Sequence, residues 1–221
     1  LYTPAGGLLH QPADSNRAIP GFLDDYACCI DAFIALYEAT FDEQWMMEAK
    51  RLSDYAIKHF QHPEEGVFYY TDDTTETIIT RKAELMDNVM PSSNSTLLRC
   101  LQKLGSIFDL PQYGEIIAQV LPRMIPQMQS YGSAYSNWAI LLLHEIHGTN
   151  EIILSGKKAE EMRKTIDGHY IPNKIVLGGT ESLLPILRGR LSEQTQAFLC
   201  KNRTCSLPLK NTSELLKQLN N

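Results

Sequence analysis

Three short stretches of this chain hold side chains that are costly to bury and suited to chemistry on polar small molecules. They are Gly-Phe-Leu-Asp-Asp-Tyr at 21–26, Asp-Asn-Val-Met-Pro-Ser-Ser-Asn-Ser at 87–95 and Ser-Tyr-Gly-Ser-Ala-Tyr-Ser-Asn at 130–137. Two carboxylates facing each other across a cavity are what cleavage of a glycosidic bond requires, one as general acid and the other as base or nucleophile. Asp24, Asp25 and Asp87 are the candidates for acid, base or sugar-hydroxyl ligand, with Tyr26, Arg81, Lys82, Ser92, Asn94 and Tyr135 lining the same mouth. The competing explanation is helix capping, because Asp, Ser and Asn are the preferred N-caps of any helix. A pair of aspartates followed by a tyrosine exceeds what capping needs, and Arg81, Lys82, Glu84 and Asp87 lead into the second stretch.

Each stretch opens an apolar segment of helical period. At 23–37, Leu23, Tyr26, Ala27, Ile30, Phe33, Ile34 and Tyr37 recur at helical spacing, and only Asp31 interrupts the apolar filling between them, which predicts a helix enclosed by protein. Asp42 then caps an amphipathic surface helix carrying Glu48, Lys50, Arg51, Asp54 and Lys58, so the two form a hairpin with an inner and an outer arm. A second inner helix is expected over 95–104, stopped by Gly105, and an outer segment follows Asp109 and Pro111 until Pro122 and Pro126 break it. A third inner helix spans 135–147 and ends at Gly148. In a toroid of such hairpins the inner helices run parallel, so their N-termini open on one mouth, where dipoles and free N–H groups favour polyhydroxylated or anionic ligands. The runs 66–71 and 77–80, separated by Asp72, Asp73 and Thr74, suggest a short β-hairpin at a helix end.

After Gly148 the texture changes. Residues 151–154, 171–177 and 196–200 are strand-like, 157–165 is a charged helix, and Asn211 and Glu214 have capping-box spacing ahead of a last helix. The division is thus a partial helical toroid over 1–148 and a small mixed α/β appendage over 149–221. Cys200 and Cys205 are either structural thiols at a strand end or a redox pair, although their spacing is not Cys-x-x-Cys. His144 and His147 lie three apart, one short of the zinc-protease spacing, and suit a helix C-terminus better than a metal. Gly178 and Gly179 belong to no nucleotide-binding fingerprint. No metal and no cofactor is expected.

The chain has 221 residues with a formal charge of −6 and no basic block, which argues against nucleic acid as a partner. Its longest apolar runs are far shorter than the roughly 20 residues of a membrane span. No signal peptide is visible, residue 1 is not Met, and the chain is expected to begin inside a longer protein. Five cysteines, an odd number, suit a reducing compartment, so the expected location is cytoplasmic.

Four stretches together resemble the YyaL-like, spermatogenesis-associated family of thioredoxin-domain-containing proteins. They are Pro-Gly-Phe-Leu-Asp-Asp-Tyr-Ala at 20–27, Leu-Tyr-Glu-Ala-Thr-Phe at 36–41, residues 81–95 with Arg-Lys…Asp…Pro-Ser-Ser-Asn-Ser, and residues 200–208 with Cys-Lys-Asn-Arg-Thr-Cys…Pro. The resemblance implies an N-terminal thioredoxin-like domain joined to an α/α toroid of the six-hairpin glycosidase and sugar 2-epimerase type. Here it implies about five toroid helices, without the thioredoxin-like part and the first hairpins. Apolar flanks should then be exposed, ready to self-associate or to meet the missing half in cis. Ser93 stands where the family pattern has Gly, and its side chain would narrow the mouth. The leading expectation is a carbohydrate-binding or carbohydrate-processing cavity, glycosidase-like or epimerase-like. The alternative is a non-catalytic interaction module serving an attached thioredoxin-like domain, with Cys200 and Cys205 as its redox pair.

Overall fold

The computed structural model describes residues 2–3, 6–11, 18–75, 80–202 and 204–219. Helix α1 (Leu23–Thr40) starts where the Asp25 carboxylate folds back to accept the Phe22 N–H at 2.8 Å, and it ends where Phe41 turns left-handed at φ +56°. Helix α2 (Glu43–Phe60) is capped as its sequence predicts, with Asp42 accepting the Gln44 N–H at 3.1 Å. Helix α3 (Ser93–Phe108) is capped by Ser92, which accepts the Ser95 N–H at 3.1 Å.

Two expected interruptions do not occur. Helix α3 continues through Gly105 to a left-handed end at Asp109, and the Leu110 carbonyl and Tyr113 Cβ pack beside Gly105, 3.4 Å from where a Cβ would stand. Helix α4 (Pro111–Ser130) continues through Pro122 and Pro126. Both prolines, and Ala118 one turn before Pro122, are exposed, so water can satisfy the carbonyls that each ring deprives of a donor. Helix α5 (Ser136–His147) follows a short 3-10 turn at Gly132–Tyr135 and ends at Gly148, whose N–H donates to the His144 carbonyl at 2.8 Å.

Helix α3 is the middle of a row, packed on α1 to one side and α5 to the other, with α2 and α4 behind. The expectation that α1 is enclosed is corrected: Cys28, Asp31, Ala32, Ala35 and Leu36 are exposed, since among the described residues α1 has α2 and α3 against it but no helix on its remaining side. Residues 66–71 form no strand; Phe68 makes an isolated bridge to Gln61, and the Tyr70 N–H donates to the Lys82 carbonyl. The partner run expected at 77–80 falls, except for Thr80, outside the described residues.

Strands β1 (Asn150–Ser155), β2 (Lys174–Gly179), β3 (Gln196–Lys201) and β4 (Thr204–Cys205) form one sheet in the order β2-β1-β3-β4. The β1–β2 pair is parallel across helix α6 (Ala159–Asp167), and the β1–β3 pair is antiparallel. Alternation along β1 divides the core. Ile153 joins the helical core with Ile175, Leu177 and Cys200, while Ile152 and Leu154 face Met162 and Ile166 of α6 and Leu215 of helix α7 (Thr212–Leu219). At the start of α7, Asn211 accepts the Glu214 N–H at 2.9 Å, and the Glu214 carboxylate accepts the Lys210 N–H at 2.9 Å. The fold is mainly α-helical with this small four-stranded sheet.

Candidate functional site

Residues 68–75 and 80–92, the strap, run across the first turns of all three inner helices. The Tyr70 carbonyl accepts the Leu23 N–H at the start of α1. The Phe68 backbone is held by Asn94 in the first turn of α3, through bonds of 2.7 and 2.9 Å. The Leu85 carbonyl accepts the Trp138 Nε1–H of α5 at 2.7 Å, and the Asp87 N–H donates to the Ala134 carbonyl. One strap touching three helix starts means that α1, α3 and α5 begin side by side, so their positive ends gather along it.

At the start of α1, Asp25 accepts the Phe22 N–H and lies 3.0 Å from His10 Nδ1. Asp25 is therefore largely a capping group. Tyr26 does not line the mouth: it is 1% exposed, its hydroxyl accepts the Leu8 N–H at 2.7 Å, and its ring stacks on Tyr55 at 5.2 Å. Gly7 covers both phenols so closely that a Cβ there would lie 2.6 Å from the Tyr55 hydroxyl and 2.8 Å from that of Tyr26. Burial pushes the Tyr26 phenol strongly up, so it stays neutral. Asp24 has a different neighbour. That neighbour is Tyr70, whose phenol is pushed up by burial first, then by the negative charges of Asp24 and Glu84. The Tyr70 ring in turn stacks on Phe22 at 5.0 Å with 12° between planes.

At the starts of α3 and α5, Asp87 is 8% exposed and its carboxylate is filled. Oδ1 accepts the Ser92 N–H at 2.9 Å and the Ser95 hydroxyl at 3.1 Å, while Oδ2 accepts the Asn137 N–H at 2.8 Å. Asn137 extends the network by donating to Ser95 Oγ at 2.8 Å and accepting from Arg99 Nη1 at 2.6 Å. Asp87 thus pins two helix starts together.

The other expected ligands divide in the same way. Asn94 is fully buried and spends its amide on Phe68 and the Glu84 carbonyl. Arg81 donates to the carbonyls of His59 and Thr71 and lies 4.3 Å over the Tyr69 ring, so it fastens the strap. Ser92 is the α3 cap, Lys82 is exposed, and Tyr135 is partly buried against the helical core. Ser93 does not narrow a mouth: it is 2% exposed, and its hydroxyl has no hydrogen-bond partner among the described residues.

The structure therefore brings Asp24 together with Tyr70, Glu84 and Phe22, and separately joins Asp87 to Ser92, Ser95 and Asn137. The link between the groups is the strap itself. Glu84 and Asp87 both line a cavity of about 570 Å³ with Tyr131 and Ser133. Tyr70 and His10 were missed in the sequence because each sits in an irregular stretch, and chain folding alone brings Tyr70 near Asp24 and His10 to Asp25. Only the adjacency of Tyr69 and Tyr70 to the β-rich run was a local signal.

At the other end of the inner helices, Cys200 and Cys205 stand opposite each other on β3 and β4 and are joined as a disulfide, with Cα atoms 3.9 Å apart. Cys28, Cys29 and Cys100 are free thiols. His144 lines a cavity of about 290 Å³ there; burial, with the charges of Arg99 and Lys103 next, pushes its imidazole down to about 4, so it is neutral near pH 7. No helix among the described residues is long and apolar enough to cross a membrane.

No protein-family model matches the chain. Over 99% of its length it is 27% identical to spermatogenesis-associated protein 20 of Homo sapiens and 25% identical to the Mus musculus protein of the same name, covering 29% of each. It is also 23% identical over its whole length to an uncharacterized Caenorhabditis elegans protein, of which it covers 31%. The chain spans less than a third of the length of these relatives. It is homologous, from end to end, to one segment of spermatogenesis-associated protein 20.

Proposed function

We propose that the strap and the three helix starts form one wall of a binding mouth for a polyhydroxylated small molecule such as a sugar, on a helical-hairpin scaffold of the α/α-toroid type. The observation that supports it is the cluster of Asp24, Tyr70 and Glu84. Unlike Asp87, whose oxygens accept from Ser92, Ser95 and Asn137, and Asp25, which accepts the Phe22 N–H and faces His10, the Asp24 carboxylate acts together with Glu84 on Tyr70. A partly exposed aromatic ring bracketed by two carboxylates suits a polyol, whose C–H face packs on the ring while its hydroxyls donate to the carboxylates. Such a carboxylate pair also supports general acid–base catalysis at a glycosidic carbon. The relatives' much greater length supports assigning the rest of the wall to helices outside this chain.

The test is calorimetric titration of a panel of mono- and disaccharides into the chain and into Asp24→Asn and Glu84→Gln. Each substitution is expected to weaken binding of the preferred sugar by about tenfold, equivalent to one lost charge-assisted hydrogen bond. Unchanged affinity in both variants, or no sugar bound at all, would overturn the assignment.

A second reading has its own observation. The bonded pair Cys200–Cys205 favours an interaction module serving a thioredoxin-like dithiol partner.

A further inference from the structure

Strand register sets the disulfide beside a buried acid. Glu151 on β1 stands directly opposite Cys200 on β3, and Cys200 directly opposite Cys205 on β4, so the three side chains leave the sheet on one face. Residues opposed in this way across antiparallel strands have Cβ atoms about 5 Å apart. Cys200 is 1% exposed, Cys205 is half-buried, and Glu151 is 5% exposed. Among the described residues the Glu151 carboxylate accepts the Ser106 hydroxyl of α3 and forms no ion pair. A buried carboxylate held by one neutral donor is costly as structure, because an apolar side chain would fill the same place without the desolvation.

The same carboxylate has a route to solvent. Cavities of about 290 and 190 Å³ flank it and share Ser106 and Glu151 as their common wall. Each is far larger than the ~15 Å³ that one water needs. The charged and titratable groups facing Glu151 across them are Lys103, His144 and Glu145 on one side and Asp109, Arg188 and Arg190 on the other. Lys103 pairs with Glu38, His144 is neutral near pH 7, and Glu145 is exposed and accepts Gln102 Nε2. Glu151 is the carboxylate that stands in register with the buried sulfur.

We infer that Cys200 and Cys205 are a dithiol–disulfide exchange centre in which the half-buried Cys205 meets the partner sulfur and Glu151 carries the proton of the buried Cys200. The inference rests on the second reading above, that this pair serves a redox partner. In the reduced chain the Cys205 thiolate attacks a partner disulfide. An S–S bond forms to Cys205, and the departing partner sulfur takes up the proton that Cys205 gave up. Cys200 then passes its proton to the Glu151 carboxylate, and its thiolate attacks the Cys205 sulfur. The second partner sulfur leaves as a thiolate and receives that proton by way of the flanking cavities. The chain has lost two electrons and two protons, and the partner disulfide has become a dithiol. Run backwards, a partner dithiol reduces the chain by the same steps. Without Glu151 the second step needs a bare thiolate where burial disfavours one.

The test uses a parent chain carrying Cys28→Ser and Cys29→Ser, which leaves Cys200, Cys205 and the buried Cys100. After reduction and removal of the reductant, one equivalent of dithiobis(nitrobenzoate) is added in a stopped-flow absorbance measurement. One thionitrobenzoate is released as Cys205 is capped, and a second as Cys200 closes the disulfide. With the relay in place, the second release keeps a level rate between the carboxylate and thiol pH ranges. A thiol lacking a base would instead speed up about tenfold per pH unit there. Glu151→Gln is expected to slow closure at least about tenfold near pH 7 and to bring back that slope, while leaving the first release unchanged. A parent rate that climbs tenfold per unit, or a Glu151→Gln chain that closes as fast as its parent, overturns the relay and leaves the redox reading standing. The parent profile decides even where Glu151→Gln does not fold. A chain that gives no second release at any pH overturns the relay and the redox reading together.

Discussion

Asp87 has the most specific bonding of any residue at the helix starts. Three donors from two helices converge on one carboxylate that is 8% exposed, so the group acts as a cross-brace. Asp87→Asn preserves the shape but turns an NH₂ toward one of those donors, leaving it unpaired in a buried place. The expected cost is about 2 kcal/mol of unfolding free energy, measured by urea denaturation. A loss within error of zero would show that the brace is dispensable. The same comparison shows where sequence reading stops. Asp42 is legible as a cap because a cap and its N–H lie within three residues, whereas Ser92, expected as a ligand, proves to cap α3 in the same way. Asp24, Asp25 and Asp87 look alike in sequence, and only the fold reveals that Asp25 caps α1, that Asp87 braces two helix starts and that Asp24 acts most strongly on Tyr70.

At the scale of elements, helix existence and order are legible because 3.6-residue periodicity survives in one sequence. Errors concentrate at Gly105, Pro122 and Pro126, local breakers through which the helices continue. The face-sharing of β1 and β2 was less legible. Gly178 reads as the end of a strand-like run, yet it sits inside β2 where a Cβ would lie 2.4 Å from the Leu154 carbonyl and 3.0 Å from the Phe41 ring. Gly178→Ala should therefore cost roughly 3 kcal/mol, because the obstruction is backbone of the neighbouring strand. Gly114 gives the opposite sign. It is exposed within α4 with nothing within 4 Å of its Cβ direction, so Gly114→Ala should raise stability by about 0.5–1 kcal/mol. Thermal unfolding of the two variants side by side checks both signs, and a stabilised Gly178→Ala would refute the strand contact.

For the whole molecule, the row of inner helices has two open ends among the described residues, and both are largely apolar. On α1 the open face carries Cys28, Ala32, Ala35 and Leu36 around Asp31; on α5 it carries Ile140, Leu143 and Ile146, exposed by 39%, 52% and 65%. Single exposed apolar residues need no explanation, but rows of them at helical spacing are the faces that neighbouring helices cover in a bundle. The α1 face is mostly small side chains and the α5 face large ones, so they are suited to pack on helices of complementary relief. As long as they are open, the chain should associate as its concentration rises, and sedimentation velocity from micromolar to higher concentrations measures it. Leu143→Lys together with Ile146→Lys should abolish that association while shifting the unfolding midpoint little, because both side chains are largely solvated already. A chain that stays monomeric throughout would mean that the α5 face is too narrow to drive contact. The doubly substituted chain would then be indistinguishable from the original by size, and open apolar faces would lose their value as evidence for a larger helical ring.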